Sequence, residues 1–223
     1  MKLICYGKGV PAIAEDLHIT IELAQQIKDS ILKAFPKLAK YLENVVAFGK
    51  KHGYVENYFG AKRRLPELQL EDYSFTFPDN LEENSKNYYK ALYMSKLNRA
   101  KYRTDINNII ATAKSKGIDI CSNKNAIAQA VRNAYNSPVQ STAAILTKMA
   151  MNNIYNNKEL QNMGVSLVLT IHDEVSLNVP KYCLKEAIEI AKKEFLTSGK
   201  DLKADLRCDI EVAECWAGES IAY

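Results

Sequence analysis

A two-residue period stands out twice between Val165 and Val179. Val165, Leu167, Leu169 and Ile171 alternate with Ser166, Val168 and Thr170, and Val175, Leu177 and Val179 alternate with Ser176 and Asn178. This spacing predicts two half-buried strands, and the polar break His172-Asp173-Glu174 between them predicts a hairpin. Elsewhere the period is helical. Val10–Leu17 reads as a short helix. Thr20 then caps a second one, with Glu22 in its first turn and Leu23, Ile27 and Ile31 along one face. Phe35-Pro36 closes that helix, and Pro36 or Lys37 opens a third, with Leu38, Leu42 and Val45 inward and Gly53 as its stop. Tyr54–Leu68 is β-like and aromatic, turning at Gly60. Asn125–Tyr135 reads as a helix, and Ser137-Pro138 as the cap and first position of the next, striped by Val139, Ala143, Leu146 and Ala150. Leu184, Ile188, Ala191 and Phe195 stripe a further helix, and Arg207–Ala213 reads as a last strand.

The stretch from Glu71 to about Lys124 has another character. It is rich in Tyr, Asn and Lys and poor in branched aliphatics, which predicts an insertion, partly helical from Tyr88 to about Lys116 with a flexible start. Neither an internal repeat nor a low-complexity run is visible.

Composition narrows the class. A chain of 223 residues with 47% hydrophobic content can bury one large or two small cores. A net charge of +4 is compatible with nucleic acid without indicating it. The five cysteines, Cys5, Cys121, Cys183, Cys208 and Cys215, are scattered without a C-x-x-C pair, which favours a reducing compartment over a disulfide framework or zinc site. The opening MKLICYGKG is broken too early to be a signal peptide, and no apolar run reaches membrane-spanning length. These features predict a soluble, cytoplasmic protein with no membrane partner.

Chemistry centres on the polar break. Asp173 is open to two readings. It is a turn residue whose carboxylate bonds nearby backbone, or one of two adjacent carboxylates, with Glu174, offering oxygen to Mg²⁺. The turn lacks the Asn-Gly or Asp-Gly chemistry of tight hairpins, and adjacent carboxylates repel unless a cation is bound. Lys62-Arg63-Arg64 is either a solvated basic loop or a set of phosphate clamps. Asn136 and Gln140 are either a cap and a surface residue or amides reaching minor-groove acceptors. His18 and His52 read as ordinary surface or core-edge residues.

In order along the chain, these stretches resemble family A DNA polymerases of the bacterial polymerase I type. Tyr6-Gly7 and the helices after it resemble the end of motif B in the fingers. GYVENYFGAKRRLPEL is similar to G-Y-V-x-T-x-x-G-R-R-R-x-x-P-x-L, and RNAYNSPVQSTAA to R-x-A-x-N-x-P-x-Q-G-T-A-A. HDE at 172–174 resembles motif C of the palm, and Trp216 falls where the family has a Trp after its last strand. The resemblance covers roughly residues 6–67 and 125–216.

It implies an α+β fold, a partial palm with an acidic β-hairpin plus a helical fingers segment. The implied domains are fingers helices over 1–66, a divergent insertion over 67–124 and palm over 125–223. It also implies template-directed nucleotidyl transfer to a primer 3′-hydroxyl, with two Mg²⁺ ions held by Asp173 and a motif A Asp, and Glu174 beside them. His172, Gln140 and Asn136 would contact the primer–template minor groove. Arg132, Lys62, Arg63 and Arg64 would hold the backbone, and Tyr6 would lie beside the templating base.

The departures carry their own expectations. The chain starts inside motif B, so motif A and the fingers lysine for the incoming dNTP would lie before Met1, and the aromatic that screens the sugar would fall on Lys2. Ser141 replaces a glycine, Ile145 an acidic residue and Thr170 a glutamine. Asp72-Tyr73-Ser74 reads like motif A's opening, but it follows motif B, lacks Q-I-E-L and runs into Phe77-Pro78, which makes it an insertion loop. The expectation is a polymerase piece of phage-like, split or truncated origin. It would be inactive alone and completed by an upstream polypeptide carrying motif A. The alternatives are a non-catalytic DNA-binding remnant and a structural protein on the same scaffold.

Overall fold

The computed structural model describes residues 8–216 and 218–223. Helices and small antiparallel sheets are mixed in two compact units, which divide after Pro138.

In the first unit, α1 (Val10–Leu17) turns back through His18, whose φ is 53°. α2 (Ile21–Ala34) begins at Thr20, where the side-chain oxygen accepts from the Leu23 amide at 3.2 Å and satisfies one orphan donor of the first turn. Ile13, Ala14 and Ala24 form the small core between these helices, with Ile19, Ile31 and Leu32 packed against it. Pro36 opens α3 (Pro36–His52), where its missing N–H leaves no bond unmade, and Gly53 ends it at φ 74°.

The chain then folds back as the hairpin of β1 (Tyr54–Glu56) and β2 (Lys62–Arg64), with Val55 opposite Arg63. Val55, Leu65 and Leu68 are buried with Ala130 and Ala134 of the long α6 (Lys124–Asn156). Close contact with α3 needs Gly49, because a Cβ there would stand 2.5 Å from Leu68 Cδ1.

The 71–124 stretch builds its own core, and it is more ordered than its composition predicts. β3 (Tyr73–Thr76) pairs antiparallel with β4 (Asp119–Ser122), Tyr73 opposite Ser122. Between them lie α4 (Glu83–Arg99) and α5 (Arg103–Lys114). Tyr73, at 2% exposure, is buried with Tyr93, Leu97, Ala113, Ile118 and Ile120. The expected flexible start is therefore a strand. Its signal was Tyr73, Phe75 and Phe77 at period two, obscured by the polar residues around them. The partly helical run expected from Tyr88 to about Lys116 is these two helices, interrupted at 100–102. Asp72, expected in a loop, leads into β3, where its carbonyl accepts from the Asn123 amide at 2.8 Å.

A second correction concerns Ser137-Pro138. No helix starts there, because α6 runs through both residues. Instead of capping, the buried Ser137 hydroxyl donates to the Asn133 carbonyl one turn back. Interior proline costs about 3 kcal/mol. The alanines around it, Ala130 and Ala134 among them, favour helix and bury against the β1–β2 hairpin, which holds the turn in place.

In the second unit, α7 (Lys158–Asn162) leads into β5 (Ser166–Ile171), which pairs with β6 (Glu174–Asn178), and α8 (Leu184–Thr197) follows. Ile154, Leu160 and Ala187 make the core, with Leu177 and Val179 packed on it. β6 is half-buried as expected. β5 follows the expectation only at its start: Val165 and Leu167 are half-buried, whereas Leu169 and Ile171, expected inward, are exposed at 40% and 41%, and Val168 of the alternate positions is 62% exposed. The strand predicted over Arg207–Ala213 shrinks to β7 (Glu211–Val212), paired with β8 (Ile221–Ala222).

Candidate functional site: an acidic hairpin tip and two basic surfaces

Strand pairing fixes the tip of the β5–β6 hairpin. Ile171 pairs with Glu174, so His172 and Asp173 are the two-residue turn. Tight hairpin turns of this length require a positive φ, and His172 supplies it at 54°. A side chain other than glycine in that region costs roughly 1–2 kcal/mol, so the hairpin holds an imidazole where a glycine would be easier.

The Asp173 carboxylate has no hydrogen-bond or ion-pair partner among the described residues. Glu174 is steadied by its own strands, with Ser176 Oγ donating to Glu174 Oε1 at 3.4 Å and Thr170 Oγ1 donating to the Glu174 carbonyl at 3.1 Å. The tip thus projects one committed and one uncommitted carboxylate, both exposed. These hard oxygens suit Mg²⁺, which keeps waters and takes one or two protein carboxylates with substrate phosphates. Among the described residues, no group of three or more His, Cys, Asp or Glu gathers where a metal could sit. The tip fits the ion as part of a donor set. Gln140 is exposed on α6, in the same unit as the tip.

The first unit carries the basic groups. Lys62, Arg63 and Arg64 lie on strand β2 and not on a loop, because the turn is completed before them. Asn57 Oδ1 closes it, accepting from the Phe59 and Ala61 amides at 3.0 and 2.9 Å. Alternation sends Arg63 to the opposite face from Lys62 and Arg64. Lys62 is tied down, with its ammonium 3.4 Å from both the Tyr54 hydroxyl and Glu56 and 4.5 Å from the Tyr54 ring centre. Tyr54 and then Glu56 raise its pKa above the ordinary lysine value. Arg63 and Arg64 have no ion-pair partner among the described residues.

Arg132 lies along a cleft of about 390 Å³ with Lys8, Lys28, Glu43 and Tyr135. Its guanidinium donates twice to Gln129 Oε1, at 3.2 and 2.6 Å. Burial, then Glu43, pushes the Tyr135 phenol upward. The sequence reading named only Arg132 here; Tyr135 follows it by three residues on α6, Lys28 and Glu43 come from α2 and α3, and Lys8 precedes α1. The local signals were Arg132 with Tyr135 and Lys28 with Leu32, each at helical spacing. Asn136 is half-buried on α6, and Tyr6 lies outside the described residues.

A family model for family A DNA polymerases matches residues 3–218. The chain belongs to DNA polymerase family A. It is 25% identical over 213 residues to DNA polymerase I of Chloroflexus aurantiacus, covering 96% of this chain and 17% of that protein. It is 26% identical over 213 residues to the thermostable DNA polymerase I of Thermus aquaticus, covering 96% of this chain and 19% of that protein. The chain thus spans under a fifth of these relatives' length. Its fold resembles the POL domain of Pol1 from M. smegmatis, solved in complex with DNA primer-template and dNTP. The TM-score is 0.59 at 21% identity, over 88% of this chain and 26% of that one. No helix among the described residues is long and apolar enough to cross a membrane.

Proposed function

We propose that this family A chain contributes the C-terminal part of a DNA-directed DNA polymerase active site, adding nucleotides from dNTPs to a primer 3′-hydroxyl on a template in DNA replication in the cytoplasm. The observation that carries this reading is Asp173. A carboxylate serving only its turn would bond nearby backbone, whereas this one projects without a partner from a turn that places His172 at positive φ.

Asp173 would anchor Mg²⁺ together with a second carboxylate, an Asp from motif A. That second carboxylate would come from a segment upstream of this sequence or from a separate polypeptide, which would also bring the lysine for the incoming dNTP. Two such ions activate the attacking hydroxyl and stabilise the leaving pyrophosphate. Glu174, held by Ser176, would set the field at the tip without ligating. His172, Gln140 and Asn136 would meet minor-groove acceptors shared by every base pair, which checks pair shape and leaves sequence unread. Arg63, Arg64 and Arg132 would hold phosphates, with Lys62 as a spacer locked on Tyr54, and Tyr6 would lie by the templating base. Residues 1–66 would serve as fingers and 125–223 as palm. The exposed apolar side chains of Val168, Leu169 and Ile171 suit burial under the upstream segment.

Primer extension with Mg²⁺ and four dNTPs tests this. The chain alone should be inactive and a mixture with the upstream polypeptide active, with activity abolished by Asp173→Ala. Extension by the chain alone refutes the shared-carboxylate reading. Absent extension with salt-sensitive duplex binding leaves the DNA-binding remnant.

A further inference from the structure

The α4–α5 corner of the 71–124 segment carries a feature that the polymerase reading does not use. Lys96 and Arg99 end α4, Lys101 and Arg103 flank Tyr102, and Arg103 opens α5. Arg99, Lys101 and Arg103 have no ion-pair partner among the described residues, and Tyr102 is 70% exposed.

Four of the segment's acids already have partners. Glu71 pairs with Lys90 at 3.0 Å, Asp72 with Lys124 at 3.7 Å, and Glu83 with Lys86 at 3.6 Å. Asp105 Oδ2 accepts from the Tyr102 amide at 3.4 Å. Helix stability explains half of the cluster, because cations at the C-terminus of α4 oppose its dipole favourably. Lys101 and Arg103 sit at the positive end of α5, where a cation is unfavourable. They also repel Arg99 and Lys96 across the corner.

We propose that this corner is a binding surface for single-stranded DNA. The cations would follow the phosphates, and the Tyr102 ring would stack on an unpaired base, the pairing of charge and exposed aromatic that such strands require. The corner shares no residue with the hairpin tip or with β2. The inference rests on the polymerase reading only for the identity of its ligand.

The test is fluorescence anisotropy of the full chain with oligothymidylate and with a blunt duplex, across a salt series. Replacing Arg99, Lys101 and Arg103 together with Ala should lower the single-strand salt slope by about 2, at roughly 0.7 per phosphate contact. Tyr102→Ala should weaken single-strand binding about tenfold, within the range of one lost stack, and leave duplex binding unchanged. Arg99→Lys with Arg103→Lys should restore the slope, which separates charge loss from misfolding. An unchanged slope in the triple variant, or equal losses on both DNAs with no effect of Tyr102→Ala, overturns the proposal. Extension that persists while the triple variant binds normally sinks this inference alone. Cluster-dependent binding with no extension even in the mixture with the upstream polypeptide sinks the polymerase reading alone.

Discussion

Gly49→Ala sets two effects of opposite sign against each other. In a helix interior, alanine is favoured over glycine by about 1 kcal/mol. At this position the new Cβ would stand 2.5 Å from Leu68 Cδ1 and 3.4 Å from Val55 Cγ1. Both neighbours are buried, at 4% and 1% exposure, so the leucine has little room to swing away. Overpacking of this kind costs typically 1–3 kcal/mol. The clash should win by about 1 kcal/mol, a fall in Tm of roughly 2–4 °C for a chain of this size. Thermal melts followed by circular dichroism would read it, with hydrogen exchange across 54–64 locating the loosened hairpin. Leu68→Ala in the same molecule removes the clashing atom, so the double variant should be more stable than the summed single losses by more than the ~0.5 kcal/mol expected of independent sites. A raised Tm for Gly49→Ala, or strict additivity, would refute the reasoning.

Other expectations follow from the same geometry. Asn57→Ala strands the Phe59 and Ala61 amides and should destabilise the β1–β2 turn by roughly 1–3 kcal/mol, seen as faster exchange of those two amides. Asp72→Ala removes only an exposed pair with Lys124 and should shift stability by under about 0.5 kcal/mol. It should also leave extension by the completed enzyme intact, where Asp173→Ala abolishes it. Burial raises the Cys208 thiol pKa, with Lys192 opposing and Asp209 adding. Because the thiolate is the reactive form, Cys208 alkylation should begin at higher pH than for a free cysteine, whereas exposed Cys121 and Cys215 react first. Mass spectrometry of partly labelled protein would show the order.

Local signals were read correctly from the sequence where a local bond decides the outcome. The Thr20 cap, the Pro36 start and the Gly53 stop all depend on atoms within a turn or so of themselves. Ser137-Pro138 carries the same kind of signature and misleads, because burial of Ala130 and Ala134 against residues far along the chain outweighs one proline. β5 shows a different limit. Alternation marks a face as apolar, but it does not say whether anything in the chain covers that face. The Arg132 cleft sets Arg132 and Tyr135 of one helix beside Lys28 and Glu43 of two others, and no spacing rule reaches across those helices. The hairpin tip was legible because its three residues are consecutive and interrupt a strict period. What pairing added was which of them make the turn and that Asp173 stands without a partner.

The β3–β4 pairing has a topological consequence. Tyr73 and Ser122 are register partners, and Asn123 ties back to Glu71 and Asp72 through its side chain and its amide. Everything between leaves and re-enters the chain at almost one point, because opposed residues of an antiparallel pair stand only about 5 Å apart. To the rest of the molecule the segment is thermodynamically equivalent to a tight turn, and its length adds little to the entropy of closing the chain. It behaves as a detachable cassette. Replacing it with a few Gly-Ser residues between Leu70 and Lys124 would relieve the fold of a passenger, and another domain with adjacent termini could be seated in its place.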